Sequence, residues 1–121
     1  MASRSHDVTP PEMEVATVGD STVMAPKESL TYKNCEGLEA ALRDNVDQKR
    51  IKIILDCKAI PFLDSEALEL LVRMHEDLEK RGGALKMVGM NDVCRDILLA
   101  TRLIGVFSVY RDVLEATRSG T

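Results

Sequence analysis

The 121-residue sequence has no tryptophan, only two tyrosines and two phenylalanines, and only three cysteines. With so few aromatic residues, aliphatic side chains and methionine must fill the interior. The cysteines, Cys35, Cys57 and Cys94, are odd in number and widely spaced, without a C-x-x-C pair. This pattern favours free, buried thiols in a reducing cytosol over a disulfide framework or a zinc site.

Long apolar runs and excess positive charge are also missing. No run approaches the roughly 18 residues of a membrane span, so we expect no membrane insertion. The first twelve residues, MASRSHDVTPPE, lack the apolar stretch of a secretory signal, and a cytoplasmic location follows by default. The net charge of −4 gives no electrostatic reason to bind nucleic acid or an anionic membrane.

Groups that could converge on a reaction are scarce. The two histidines are His6, near the N-terminus, and His75, which is interpreted as a residue on the flank of a long helix. Neither has the spacing to a cysteine, a serine or a carboxylate that a ligand set or a catalytic triad needs. There is no G-x-G-x-x-G and no Walker lysine motif. We therefore expect no enzymatic activity, no metal and no cofactor.

The central stretch of the chain is residues 51–71, IKIILDCKAIPFLDSEALELL. Its first residues form a nearly continuous apolar run, as in a strand covered on both faces. Pro61 stops this strand from extending, and Asp64 has the short acceptor side chain that caps a helix. Ser65 then falls in the first turn of the helix, beside exposed backbone N–H groups.

The remaining segments alternate between strands and helices. Residues 1–12 are interpreted as a flexible lead-in and residues 13–118 as a single domain. Gly19-Asp20 predicts a hairpin between strands 13–18 and 21–25, and Gly82-Gly83 supplies a left-handed cap. Further helices are predicted at 34–46, 65–81, from Asn91 to about 101, and 112–118, with strands at 84–88 and 107–110.

This alternation predicts an α/β fold with a mixed β-sheet: an antiparallel hairpin at one edge, then parallel strands with about four helices. Ligands of such sheets gather outside the carboxyl ends of the strands. Asp56, at the end of the buried strand, and Ser65 should both lie near that edge. The alternative for Asp56 is a turn-forming role on nearby N–H groups, and for Ser65 it is a second capping hydroxyl.

Four segments in this order and spacing resemble the STAS domain family of bacterial anti-sigma factor antagonists. They are IKIILD, FLDSEALELL, RGGALKMVGMN and LLATRLIGVFSVYRDVLEA, and the resemblance extends from about Met13 to Thr117. It implies a STAS-like mixed sheet with helices packed around it, and no catalysis. Ala67 and Thr101-Arg102-Leu103 depart from the family pattern, which often has Gly and Thr-Gly-Leu there.

By the same resemblance, Ser65 matches the serine that a partner kinase phosphorylates. The unmodified protein would bind an anti-sigma factor with a histidine-kinase-like ATPase fold and so free a sigma factor. Phosphorylation would release the partner, and a metal-dependent serine phosphatase would reverse it. Partner contacts are expected from the residues around the serine: Thr31, Asp56, Phe62, Asp64, Glu66, Glu69 and Asn91.

Two other functions remain open at this stage. One is a STAS subunit that docks on an ABC-type lipid transporter ATPase without a phosphorylation switch. The other is a small-molecule sensor that binds a nucleotide or lipid at the sheet edge, although no phosphate-cradling motif supports it.

Overall fold

The computed structural model describes residues 9–118 and contains every element that the sequence predicts, with bounds that agree to within one residue. In chain order the elements are β1 (Met13–Val18), β2 (Ser21–Pro26), α1 (Cys35–Asp47), β3 (Lys52–Asp56), α2 (Ser65–Lys80), β4 (Ala84–Val88), α3 (Asp92–Ala100), β5 (Ser108–Tyr110) and α4 (Val113–Arg118).

The strands form one five-stranded sheet in the order β1-β2-β3-β4-β5. β1 and β2 are antiparallel and meet at the two-residue turn Gly19-Asp20, where Gly19 adopts a φ of 63°. All later neighbours are parallel, because each crossover carries a helix. The predicted mixed sheet with an antiparallel edge is therefore confirmed.

The central strand, β3, is covered on both faces, as its apolar run predicts. Ile53 and Leu55 belong to the main core beneath α1 and α2. Ile54 points the other way, into a smaller cluster with Val23, Val88 and Ala116 of α4. Successive strand residues alternate between faces, so an uninterrupted apolar run is what two covered faces require.

The end of α2 is fixed by its glycine pair. Gly82 has a φ of 83°, and its N–H donates to the Glu79 carbonyl at 3.0 Å. The N–H of Gly83 donates to the Leu78 carbonyl at 2.8 Å. These two bonds form a Schellman cap. Gly83 also lies directly against the Ile51 backbone, where a Cβ would overlap the carbonyl.

Part of the predicted lead-in contacts the domain. Its first eight residues lie outside the described part of the chain, but Pro11 is buried and the Lys27 N–H donates to the Glu12 carbonyl at 2.7 Å. The Thr9 carbonyl approaches α1 at Gly37, where a Cβ would overlap it. Glycine within this helix is thus explained by a close backbone approach.

His75 is packed rather than free on the helix flank. Its side chain is 12% exposed, and its ring meets Phe107 edge to face with centroids 5.5 Å apart. Its Nε2 lies 3.5 Å from a Glu79 oxygen. On the same helix, Arg73 contacts Glu39 of α1 at 3.7 Å, because α1 and α2 pack side by side. Between residues 9 and 118, no cluster of potential metal ligands occurs and no helix could cross a membrane.

Gly83→Ala should lower the free energy of unfolding by about 1–3 kcal/mol, because the added methyl group must displace the Ile51 backbone. Gly105→Ala is the matched control, since nothing lies within 4 Å of its Cβ position and its φ is not positive. It should change stability by less than about 1 kcal/mol. Urea denaturation measures both, and equal losses would contradict the close approach.

Candidate functional site

Two loops meet at the start of α2. The N–H of Leu30, in the β2–α1 loop, donates to the Phe62 carbonyl at 3.0 Å. The N–H of Asp64 donates back to the Leu30 carbonyl at 3.1 Å. Leu30 and Leu63 thereby form an isolated parallel bridge, with both side chains buried. This bridge fixes the position from which α2 begins.

The carboxylate of Asp64 ties the same two loops together. Its Oδ1 accepts the Ala67 N–H at 2.9 Å, which confirms the predicted helix cap. Its Oδ2 accepts the Tyr32 N–H at 2.7 Å. The second bond has no signal in the sequence, because Tyr32 is 32 residues away. Asp64 therefore holds the site together, with both of its oxygens engaged by backbone N–H groups.

Ser65 is the first residue of α2, and its side chain is exposed. Asp64 supplies the cap, so the alternative of a capping role for the Ser65 hydroxyl does not hold. Within residues 9–118 the hydroxyl makes no hydrogen bond. An exposed hydroxyl at a helix N-terminus is accessible to another protein and close to unpaired backbone donors.

An open groove of about 500 Å³ extends from Ser65 along α2 to the loop between α3 and β5. We call it the α2 groove. Leu68, Val72 and Leu103 give it a mainly apolar lining, and Glu69 and Thr101 also contribute. A pocket with a few polar groups around an apolar lining is typical of a binding site.

A second groove, of about 620 Å³, is lined by Asp64, the residue before Ser65. We call it the aromatic groove, because Tyr32 and Phe62 line it and are 62% and 45% exposed. Thr31 also lines this groove. Its N–H donates to Asn34 Oδ1 at 2.9 Å, which orders the loop that carries it. Two exposed aromatic side chains are notable in a chain with so few, and such residues are enriched at protein interfaces.

Glu66 lines a third pocket, which shares Arg73 with the α2 groove. Its Oε2 lies 4.0 Å from Cys35 Sγ, and the two residues share a shallow pocket with Arg73. Desolvation raises the pKa of the Cys35 thiol above its ordinary value, and the carboxylates of Glu66 and Asp64 raise it further. Burial likewise raises the pKa of Cys57 and of Cys94, and all three cysteines are free.

Asp56 and Asn91 lie outside these grooves. Asp56 Oδ1 accepts the Lys58 N–H at 3.0 Å, which is the turn-forming alternative. Asn91 caps α3 by accepting the Cys94 N–H at 2.8 Å, and its amide donates to the Ile60 carbonyl at 2.9 Å. Asn91 thus braces the β3–α2 loop from the side of α3. Partner contacts by these two residues remain predictions.

Several residues of the site were missed from the sequence. The sequence predicts no role in the site for Tyr32 or for the groove-lining residues Leu68, Val72 and Leu103. Tyr32 could have been found, because a lone aromatic residue in a polar loop is an available signal. Nothing in the sequence shows that Leu103 approaches α2, since that contact depends on how the chain packs after α3.

The geometry defines a class of protein: a small mixed α/β domain with an exposed serine at the start of its longest helix. A model of the STAS domain family matches residues 12–116 of the chain. The chain therefore belongs to the STAS domain family, and the resemblance described above is confirmed. By sequence, no curated protein matches it.

Solved structures share the fold. TM1081 of Thermotoga maritima, a proposed anti-sigma factor antagonist, superposes with a TM-score of 0.83 and 22% identity, over 87% of this chain and 91% of that one. The anti-sigma factor antagonist SpoIIAA, in its unphosphorylated form, gives a TM-score of 0.68 at 16% identity, over 88% and 94%. The murine anion transporter Slc26a9 gives 0.70 at 14% identity, over 84% of this chain and 18% of that one. These likenesses establish the fold.

Removing the Asp64 carboxylate should destabilise the domain, and the loss should be larger when both acceptor oxygens are removed than when one remains. Asp64→Ala loses both backbone bonds and should cost about 2 kcal/mol in free energy of unfolding. Asp64→Asn keeps one acceptor oxygen for the cap and should cost about half as much. Glu76→Ala, at an exposed position of the same helix, is the control and should change stability by less than about 0.5 kcal/mol. Equal losses for Asp64→Ala and Asp64→Asn in urea denaturation would refute the double role.

The pKa directions of the thiols predict an order of alkylation. A raised pKa leaves less thiolate at a given pH, and the thiolate is the reactive form. At a pH of about 8, iodoacetamide should label the half-buried Cys35 slowly, and label Cys57 and Cys94 only after unfolding. Glu66→Gln should accelerate Cys35 labelling, because one of the charges that raise its pKa is removed. Glu76→Gln should leave the rate unchanged, and mass spectrometry follows the kinetics.

Proposed function

We propose that this protein is a phosphorylation-switched binding module: an anti-sigma factor antagonist that binds a serine kinase/anti-sigma factor through the surface around Ser65. Its unphosphorylated form holds the kinase and so frees a sigma factor. Phosphorylation of Ser65 releases the kinase, and a metal-dependent serine phosphatase restores binding. The single observation that carries this proposal is the exposed Ser65 side chain, which lines the α2 groove next to Asp64, a residue of the aromatic groove.

The two grooves suit a protein partner better than a small molecule. Both are open, and neighbouring residues line them, Ser65 in the α2 groove and Asp64 in the aromatic groove, so one partner surface can cover them together. The aromatic groove offers Tyr32 and Phe62 as anchors, and the α2 groove offers an apolar slot. Interfaces concentrate their binding energy in such buried aromatic and apolar contacts, surrounded by a polar rim. Ser65 would lie within that rim.

Charge explains how one modification switches binding off. A phosphate adds about −1.5 to −2 charge and three acceptor oxygens. Asp64, Glu66 and Glu69 already surround Ser65 with negative charge. Arg73 lines the same groove as Ser65, but its guanidinium contacts Glu39 on α1. A partner surface complementary to the unmodified site would have to desolvate and accommodate this additional charge, which opposes docking.

The same modification leaves the fold intact. Ser65 is exposed and its hydroxyl holds no other part of the described chain. The dipole of α2 stabilises negative charge at this end of the helix. The phosphorylated form of the Bacillus protein SpoIIAA resembles this chain with a TM-score of 0.69, close to the 0.68 of the unphosphorylated form. That similarity supports a switch that acts at the surface.

Incubation with the cognate kinase and ATP should add the mass of one phosphoryl group to the protein, and Ser65→Ala should abolish this gain. Ser108→Ala, at an exposed serine on β5, is the matched control and should be phosphorylated like the wild type. Mass spectrometry of the intact protein, followed by peptide mapping, provides the measurement. Phosphate on another residue would contradict the assignment of Ser65.

Binding to the kinase provides the second readout of the same prediction. Ser65→Ala should bind with nearly wild-type affinity, whereas Ser65→Asp should weaken binding by on the order of 3 kcal/mol, about a hundredfold in Kd. Calorimetric titration distinguishes the two. If both variants bind equally well, the switch is wrong. Stable binding to an ABC-type ATPase that Ser65→Asp leaves unchanged would instead favour the transporter-docking function.

A further inference from the structure

The outer side of β1 is an edge of the sheet that carries no strand. β1 is the first strand in the sheet order, and in the described part of the chain only β2 pairs with it. Five of its six residues are exposed. Its side chains include Val15, which is 56% exposed, and Val18, which is 41% exposed.

The hydrogen-bond alternation identifies which backbone groups face outward. The Lys27 N–H donates to the Glu12 carbonyl, so the Glu12–Lys27 pair is hydrogen-bonded across the hairpin. In an antiparallel pair, bonded and non-bonded positions alternate. Met13 is therefore a non-bonded position, and its partner is Pro26, which has no N–H to donate. Continuing the alternation, the N–H and C=O groups of Met13, Val15 and Thr17 point away from β2.

This edge lacks the features that usually prevent strands from pairing. Natural edge strands carry lysines, prolines or bulges that block a second chain. The segment MEVATV has none of these, and its register with β2 is continuous. Its single charged residue, Glu14, contacts Lys27 at 3.5 Å on the hairpin itself. The outward backbone groups are thus available to an extended strand.

We propose that β1 pairs with β1 of a second copy of this chain, antiparallel, to form one continuous ten-stranded sheet about a two-fold axis. The three residues whose backbone groups point outward all have odd numbers. They therefore lie opposite one another only in registers where the two paired residue numbers add up to an even number. When Val15 of one copy lies opposite Val15 of the other, all three outward residues take part, because Met13 of each copy then lies opposite Thr17 of the other. Each of these three pairs exchanges two hydrogen bonds.

The side chains of the strand suit this register. Glu14 lies opposite Ala16 of the second copy, so no like charges face each other directly. Val15 packs beside its symmetry mate on the sheet face that carries α1 and α2, since its hairpin partner Met24 belongs to that core. A two-fold interface uses the same surface on both subunits. The six residues of β1 therefore form both sides of the proposed interface.

Pairing through β1 leaves both α2 grooves open. The α2 groove lies between α2 and the loop that precedes β5, and β5 is the opposite edge of the sheet. The dimer would therefore present two α2 grooves at once, each lined by Ser65, and bind a dimeric partner with increased avidity. The pairing itself rests on the strand geometry and is independent of the function proposed for Ser65.

Sedimentation equilibrium of the full chain over a concentration series tests the pairing. The wild type should move from the 13.4 kDa of one chain toward twice that mass as concentration rises. Val15→Lys should weaken the dimer at least about tenfold in Kd, because two lysines then face each other at the axis. Val93→Lys is the matched control: Val93 is 53% exposed on α3, and the substitution adds the same charge away from the edge.

Thr17→Pro tests the backbone bonds themselves. Its N–H points outward, so proline removes only the intermolecular donor and leaves every β1–β2 bond intact. It should also weaken the dimer at least about tenfold. In wild-type protein, the amide protons of Val15 and Thr17 should exchange more slowly as concentration rises, which does not depend on any variant folding. A chain that stays monomeric, or a dimer that neither β1 variant weakens, overturns the proposal.

Discussion

A single carboxylate connects the backbones of two loops at the point where the sheet turns into its longest helix. Asp64 accepts an N–H from α2 with one oxygen and an N–H from the β2–α1 loop with the other. The Leu30–Leu63 bridge lies beside it and is buried. Because both oxygens of Asp64 are engaged, Ser65 begins its helix at a fixed position, at the end of the α2 groove.

The contacts that hold this junction are separate from the surface that the proposed function assigns to a partner. The atoms that hold the loops together belong to the backbone, to Asp64 and to buried leucines, whereas the surface offered to a partner consists of Ser65 and exposed aromatic or apolar side chains. A charge added at Ser65 therefore changes what can dock without removing a contact on which the domain depends. Under the proposed function, this separation would let one exposed hydroxyl regulate binding reversibly while the core remains unchanged.

The fold could be predicted almost entirely from local signals. The apolar run of β3 indicates two covered faces, Gly19-Asp20 indicates the hairpin, and Gly82-Gly83 indicates the end of α2. The site was only partly predictable, because its missing parts depend on contacts between distant segments. Asp64 was recognised as a cap, but its bond to Tyr32 spans 32 residues. Leu103 reaches the α2 groove only through the packing of the loop after α3.

The passage of the chain over Gly37 has a practical consequence for handling the protein. Thr9 lies against α1 there, and Thr9 and Pro10 also form part of the wall of the aromatic groove. A solubility tag or surface linker joined directly before Thr9 would therefore start at the rim of the surface that a partner would cover. Attachment after α4, which packs on the opposite face of the sheet, keeps that surface clear for immobilised binding assays.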